Sequence, residues 1–155
     1  VTLPCYEWNR CVLVPRGHPL TRQQPLTLSA LAGFPIITYD FAFTGRSQIN
    51  AAFDAEGLAP NVVLTALDSD VIKSYAGLGL GVGIISAMAY DAQKDRALAL
   101  LPADHLFPVQ TTRVAFRRGA RLRGFAAEFI GMFVPHLTRE AVGRLARGGG
   151  DDFVI

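Results

Sequence analysis

The chain has 155 residues, of which 50% are hydrophobic and 18% are charged, and its formal net charge at pH 7 is +2. This length suits one compact domain or two small lobes and excludes a large multidomain enzyme within this sequence. The small net charge excludes nucleic-acid binding along the whole chain, and no apolar run approaches the roughly 20 residues that span a bilayer.

The predicted elements alternate between short apolar strands and amphipathic helices. Apolar segments bounded by turn residues predict strands at 10–15, 35–39, 62–66 and 80–85, followed by an apolar run at 97–101 and a half-exposed strand at 112–117. Helical spacing and capping residues predict helices at 27–33, about 46–56, 70–78, 87–93 and 122–136, and the tail 138–147 is compatible with further helix. On the helix at 122–136, an apolar stripe contains Phe125, Phe129, Ile130 and Phe133.

This alternation predicts an α/β domain with a mainly parallel sheet. In such sheets, ligands bind outside the carboxyl ends of the strands. Tyr39 and the segment 65–68 both fall at predicted strand ends. We therefore expect a ligand at the edge of the sheet that they share.

The helix that follows Tyr39 begins with Thr44, Gly45, Arg46 and Ser47. A helix start carries unpaired backbone N–H groups and the positive end of the helix dipole. Two hydroxyls, a glycine and an arginine at such a start can form an anion-binding cradle. Spacing alone slightly favours a simpler interpretation, in which a hydroxyl caps the helix and the arginine is exposed.

The other sequence motifs do not indicate a catalytic or ligand-binding site. The glycine-rich run 77–83 follows a helix and enters a strand, which favours a helix stop and tight strand packing over phosphate binding. Asp68 and Asp70 are explained as helix-capping residues, and no serine lies in a Gly-x-Ser-x-Gly elbow. The three histidines are scattered, and nothing pairs them with a nucleophile or with metal ligands. No enzyme, metal or cofactor is predicted.

Both cysteines are expected to be small buried hydrophobes in a reducing compartment. If Cys5 and Cys11 lie on one extended stretch, they are ~20 Å apart, beyond the reach of a disulfide.

Trp8 lies between polar neighbours and either packs in the core or lines a pocket. A basic cluster is interpreted as a solvated face rather than a DNA site; its members are Arg113, Arg117, Arg118, Arg121 and Arg123.

Four segments in order carry a family resemblance: Leu3-Pro-Cys-Tyr-Glu-Trp-Asn-Arg10, Thr38-Tyr-x-Phe-x-Phe-Thr-Gly-Arg-Ser47, Thr65-Ala-x-Asp-x-Asp-Val-Ile-Lys73 and Leu78-Gly-Leu-Gly-Val-Gly83. The motifs at 116–118 and 135–139 extend the match, which covers roughly residues 1–140. Together they resemble the CysB subgroup of the LysR-type transcriptional regulators, which control sulfur assimilation.

The resemblance implies an effector domain similar to type 2 periplasmic binding proteins, with two α/β lobes and a ligand cleft. Residues 1–140 would form an N-terminally truncated effector-binding domain, with about 10–110 as the second lobe, 112–136 returning to the first lobe and 141–155 as a tail. Promoter DNA would be bound only through an N-terminal helix-turn-helix outside this sequence. The resemblance also implies a cytoplasmic homotetramer, in keeping with the absence of a visible signal peptide or membrane segment.

For the site, the resemblance implies acetylserine and sulfate or thiosulfate as ligands and assigns an anion-binding role to Thr44. Gly45, Arg46 and Ser47 match the same motif, and Tyr39 and Trp8 complete the predicted effector-binding set. Asp40 departs from the family pattern, and a carboxylate near a bound anion is repulsive. Either Asp40 points away from the anion or the effector preference of this protein differs.

Two alternatives remain open at this point. A transport-type solute-binding module for an oxyanion or amino acid would share the fold and the cleft. A truncated gene product without a function of its own would also fit, because half of one lobe would be missing.

Overall fold

A computed structural model describes residues 2–41, 45–117, 123–134 and 140. The strands in these ranges are β1 (Thr2–Trp8), β2 (Arg10–Pro15), β3 (Ile36–Tyr39), β4 (Val62–Ala66), β5 (Val82–Ser86), β6 (Leu98–Pro102) and β7 (Gln110–Ala115). The α-helices are α1 (Leu28–Ala32), α2 (Gly45–Ala55), α3 (Ser69–Gly77) and α4 (Gly124–Phe133), and short 3-10 turns cover Pro19–Arg22 and Ala87–Ala89.

The chain divides into two compact units, residues 8–110 and residues 1–7 together with 111–155. The larger unit contains a five-stranded sheet with the strand order β4-β3-β5-β2-β6. The α/β class is thus confirmed, but the sheet is mixed in its pairing. β3 pairs in parallel with β4 and β5, whereas β2 is antiparallel to both β5 and β6. Four of the five strands consequently run in one direction, and β2 runs against them.

Helices cover both faces of this sheet, which explains why its central strands are apolar at nearly every position. On one face, Val12 and Ile84 pack with α1 and with Ile49 and Phe53 of α2. On the other face, Leu13 and Ile85 pack in the cluster that includes Ile72 and Ala76 of α3. Alternate residues of β2 therefore enter two separate cores, as the pleat of a strand requires.

The glycine-rich run has the structural role that its position predicts. Gly79 has φ +75°, a left-handed conformation that ends α3, so the helix stop is confirmed. Gly81 lies against β3, where a Cβ atom would come within 2.8 Å of the Pro35 carbonyl oxygen and 2.9 Å of Ile37 Cγ1. The Val82 N–H donates to the same Pro35 oxygen at 2.7 Å. Only glycine fits between these two strands without displacing backbone.

Gly81→Ala is therefore expected to lower the free energy of unfolding by about 2 kcal/mol, the usual cost of overpacking. Gly77→Ala is the matched control, because the added Cβ would lie no closer than 3.9 Å to the Leu98 side chain and the position is helical. We expect the control to be neutral or stabilising by up to about 1 kcal/mol. Urea unfolding followed by circular dichroism measures both. Equal midpoints for the two variants would contradict the packing argument.

The smaller unit contains a two-stranded sheet of β1 and β7, together with α4. Strand β1 was not predicted, because Thr2–Trp8 mixes polar and apolar residues and includes a proline. Leu3, Ile130 and Val134 form a buried cluster here. The predicted stripe on α4 is divided: Ile130 is buried, whereas the predicted phenylalanines are largely exposed, with 68%, 58% and 41% exposure at Phe125, Phe129 and Phe133.

Other predicted elements differ in how closely the structure matches them. The strands predicted at 10–15 and 62–66 have those bounds, and the helix predicted at 87–93 is only the 3-10 turn Ala87–Ala89. The helix predicted at 138–147 falls almost entirely outside the described residues. Both cysteines are free; Cys11 is buried as predicted, which raises its pKa to about 12, whereas Cys5 is only half-buried. Within the described ranges, no helix is long and apolar enough to cross a membrane.

Candidate functional site

The predicted ligand edge of the larger sheet is formed by four strand ends. Because β4 and β5 run parallel to β3, the carboxyl ends at Ala66, Ser86 and Tyr39 meet at one edge. The antiparallel β2 begins at this edge, where Arg10 lies opposite Ser86. Tyr39 and the segment 65–68 therefore share an edge, as predicted.

Tyr39 is the centre of a hydrogen-bond network at this edge. Its hydroxyl lies 2.7 Å from Ser69 Oγ, the first residue of α3, and accepts from the Ser86 N–H at 3.3 Å. Inside the sheet, the buried Thr38 hydroxyl donates to the Ile84 carbonyl at 3.0 Å. These bonds join β3, β5 and the start of α3, so the Tyr39 ring is held in one orientation.

The start of α3 has the cap that its sequence predicts. Asp68 Oδ1 accepts from the Val71 N–H at 2.9 Å, and Asp70 lies in the first helical turn. The carboxylates at 68 and 70 thus serve the helix start and are not paired for acid–base chemistry. The capping prediction is confirmed.

The start of α2 brings a buried cation to the same edge. The helix begins at Gly45, in agreement with the predicted start, while Thr44 lies outside the described residues. Arg46 is only 4% exposed, and Ser47 is exposed. The interpretation with an exposed arginine, which spacing alone favoured, is therefore wrong. Spacing could not reveal it, because the guanidinium also has neighbours outside the helix, such as the Phe41 ring.

Within the described ranges, Arg46 has three neighbours that affect its guanidinium. Its guanidinium carbon lies 4.8 Å from the centroid of the Phe41 ring, and its Nε donates to Asn50 Oδ1 at 3.2 Å. Burial lowers the pKa of Arg46, and the nearby Asp40 carboxylate partly opposes that shift. Its Nη1 atom is buried and has no hydrogen-bond acceptor among the residues that the structure describes. A buried donor of this kind suits an anionic oxygen of a ligand.

Asp40, the residue that departs from the family pattern, lies directly beyond β3. Its N–H donates to the Ala66 carbonyl at 3.1 Å, and its Oδ2 accepts from the Thr65 hydroxyl at 3.2 Å. The carboxylate is also near enough to Arg46 to influence its pKa. Asp40 is thus tied to β4 and belongs to the electrostatic surroundings of Arg46.

A second buried arginine was missed by the sequence analysis. Arg10 is 2% exposed, and its guanidinium carbon lies 5.3 Å from the centroid of the half-buried Trp8 ring. Burial lowers the pKa of Arg10, and the neighbouring Tyr39 partly opposes that shift. The available signal was a charged residue at the head of an otherwise apolar strand, at the end where a ligand is expected. Trp8 and Tyr39 are thus both linked to Arg10.

The remaining candidate residues are either exposed or have local structural roles. Arg113, Arg117 and Arg123 are exposed, as expected for a solvated face, and the other two members of the basic cluster lie outside the described residues. His18 Nδ1 accepts from the Leu20 N–H at 3.2 Å and so caps a turn. In the part of the chain that the structure describes, no group of histidine, cysteine or acidic residues could hold a metal ion.

Comparison with known protein families shows to which family the chain belongs. The model of the LysR substrate binding domain matches residues 1–138. The chain belongs to this LysR family. Because the family consists of transcriptional regulators, the prediction that the chain is not an enzyme is confirmed.

The relatives place this LysR domain close to one subgroup. It is 53% identical over 147 residues to the HTH-type transcriptional regulator SsuR of Burkholderia cenocepacia, covering 95% of this chain and 48% of that protein. It is 44% identical over 155 residues to the regulator CysB of the same organism, covering 100% of this chain and 50% of that protein. The chain thus spans about half the length of the curated relatives it matches.

A solved structure confirms the fold of the LysR domain. The cofactor-binding domain of the Cbl transcriptional regulator matches with a TM-score of 0.89 and 38% identity, over 96% of this chain and 65% of that one. The predicted CysB-like resemblance and the effector-domain fold are therefore both confirmed.

Proposed function

We propose that this chain is the effector-sensing domain of a transcriptional regulator of cysteine biosynthesis and sulfur assimilation. It binds acetylserine, sulfate or thiosulfate and thereby controls promoter binding by a helix-turn-helix outside these 155 residues. The observation that carries the proposal is the buried Arg46 at the start of α2, at the sheet edge where α/β folds bind ligands. Its Nη1 offers a buried donor, and a helix start attracts anions.

The domain organisation belongs to the same proposal. Residues 10–110 correspond to the second lobe of the effector domain, 112–136 return to the first lobe and 141–155 form a tail. Ligand binding shifts the equilibrium between arrangements of a cytoplasmic homotetramer and so changes its contacts with promoter DNA. The similarity to SsuR and CysB, both named as HTH-type transcriptional regulators, favours this role over a transport module.

Thr44→Ala in the full-length protein tests the proposed anion site. A hydrogen bond from a hydroxyl to a charged ligand contributes about 1.5–3 kcal/mol, so we expect the affinity for sulfate and acetylserine to fall about tenfold or more. Isothermal titration calorimetry with each ligand measures the change.

Thr27→Ala is the matched control, because it removes a capping hydroxyl from the start of α1 and leaves α2 unchanged. We expect this control to bind both ligands as the wild type does. Unchanged binding of both ligands by Thr44→Ala would remove Thr44 from the site. No binding of either ligand by the wild type would refute the proposed function itself.

A further inference from the structure

The side chain that holds the Arg46 guanidinium belongs to the same helix. Asn50 lies four residues further along α2, and residues four apart lie one above the other on a helix. The Arg46 Nε donates to Asn50 Oδ1 at 3.2 Å, between a buried arginine and a half-buried asparagine. An arginine has several rotatable bonds, and this bond restrains them before any ligand arrives.

Two contacts together fix the orientation of the guanidinium plane. The Phe41 ring lies against this plane, with 4.8 Å between the ring centroid and the guanidinium carbon. The ring limits the tilt of the plane, and the bond to Asn50 limits rotation within the plane. Phe41 is 68% exposed, so the bond to Asn50 is the more shielded of the two contacts.

The bond to Asn50 also decides which edge of the guanidinium remains for a ligand. A guanidinium can meet two oxygens of an anion through Nε and one terminal nitrogen, or through both terminal nitrogens. Nε carries a single N–H, and Asn50 receives it. Nη1 is buried and has no hydrogen-bond acceptor among the residues that the structure describes. The terminal edge is therefore the one that is left for an anionic ligand.

We propose that Asn50 is a positioning residue for anion binding, which accepts from Nε and thereby leaves the terminal edge of Arg46 for two oxygens of the bound anion. Without Asn50, the guanidinium would turn, and the ligand would have to order it at a cost in affinity. This inference rests on the proposed effector-sensing function and adds a residue outside the predicted effector-binding set.

Asn50→Leu in the full-length protein tests the inference, because leucine is similar in size and has no acceptor. We expect the affinity for sulfate, and for acetylserine through its carboxylate, to fall roughly threefold to tenfold, as measured by calorimetric titration. Asp54→Leu is the matched control, because it makes the same replacement at an exposed position one turn further along α2. We expect this control to bind both ligands within about twofold of the wild type.

Arg46→Lys separates positioning from a merely structural role. Lysine keeps the charge but has neither Nε nor a planar fork to orient. Adding Asn50→Leu to this variant should therefore lower the affinity by no more than about twofold further. An equal loss from Asn50→Leu in the arginine and lysine backgrounds would instead show that Asn50 acts on the fold and would overturn the inference.

The unfolding midpoint of each variant is measured in parallel. If Asn50→Leu does not fold, Asn50→Ala replaces it, since it removes the same acceptor without adding bulk, and the expected loss of affinity is the same. If the wild type binds either ligand and the Asn50 variant binds it equally well, the role of Asn50 is refuted and the proposed function stands. If the wild type binds neither ligand, both proposals fail.

Discussion

Phe53→Ala is expected to lower the free energy of unfolding by about 4 kcal/mol, within the range for truncating a buried phenylalanine. Phe53 is completely buried in the second half of α2 and packs in the cluster that contains Ile36, Ile49 and Ile84. The loss combines the transfer free energy of the ring with the cavity that it leaves in a densely packed interior. Urea unfolding should show a lower midpoint with an unchanged slope.

The matched control for this variant is Leu78→Ala. Leu78 lies in the same unit and is 73% exposed, so its truncation should change the free energy of unfolding by no more than about 0.5 kcal/mol. Phe53 and Ile49 hold α2 against the sheet, and the start of that helix contributes Arg46 to the candidate site. We therefore also expect Phe53→Ala to weaken effector binding without touching the ligand. A loss of stability below about 1 kcal/mol would show that the core can collapse around the missing ring.

The sequence allowed good prediction of elements whose signal is local. The spacing of Ile49, Ala52 and Phe53 located α2, and all three side chains face the core or its margin. The mostly apolar segments of β2 and β4 predicted those strands with their observed bounds. In each case the signal is the pattern of apolar residues within one segment.

Features that depend on distant partners were missed. Arg10 contacts the Trp8 ring on a strand that pairs with β5, and Arg46 contacts the Phe41 ring. The helix predicted at 87–93 stops early because Asp91 Oδ1 accepts from the Gln93 N–H and forms a turn. Pairing, register and side-chain contacts of this kind appear only when the chain is folded.

The direction of strand pairing in the sheet was likewise only partly predictable from the sequence. Alternating strands and helices favour parallel neighbours, and this holds for β3, β4 and β5. The insertion of β2 between β5 and β6 reverses one strand and brings Arg10 to the ligand edge. A parallel β2 would place its first residue at the opposite edge. The direction of one strand therefore decides whether a buried cation can belong to the site.

Lys73 joins α3 to the segment that follows β5, and we expect its replacement to have a large effect on stability. Its Nζ donates to the Ala89 carbonyl at 3.1 Å and to Asp95 Oδ2 at 3.2 Å, and it pairs with Asp70 at 2.9 Å. The side chains of Lys73 and Asp95 are 13% and 11% exposed, whereas Asp70 is 88% exposed. The mostly buried pair with Asp95 therefore dominates the effect on stability.

We expect Lys73→Met to lower the free energy of unfolding by about 3 kcal/mol, because it leaves the Asp95 carboxylate in a mostly buried position without its cation. Lys94→Met is the matched control: its pair with Asp91 spans 3.7 Å between exposed side chains, so its loss should cost no more than about 0.5 kcal/mol. The double variant Lys73→Met with Asp95→Leu should regain most of the stability, since it removes both charges. Equal losses in Lys73→Met and Lys94→Met would refute the buried pair.

The pH dependence of the unfolding free energy gives an independent check of the role of the Lys73 charge. Burial alone would lower the pKa of Lys73, but the hydrogen bonds to Asp70 and Asp95 outweigh burial and raise it above the ordinary 10.5. A lysine whose pKa is higher in the folded state binds its proton more tightly there. Its contribution to stability is complete below the unfolded pKa and is lost as the pH rises through the folded pKa. The difference in unfolding free energy between wild type and Lys73→Met should thus stay constant from pH 7 to about 10 and shrink above about 10.5. A difference that stays unchanged above about pH 10.5 instead would assign the effect to packing of the lysine stem and not to its charge.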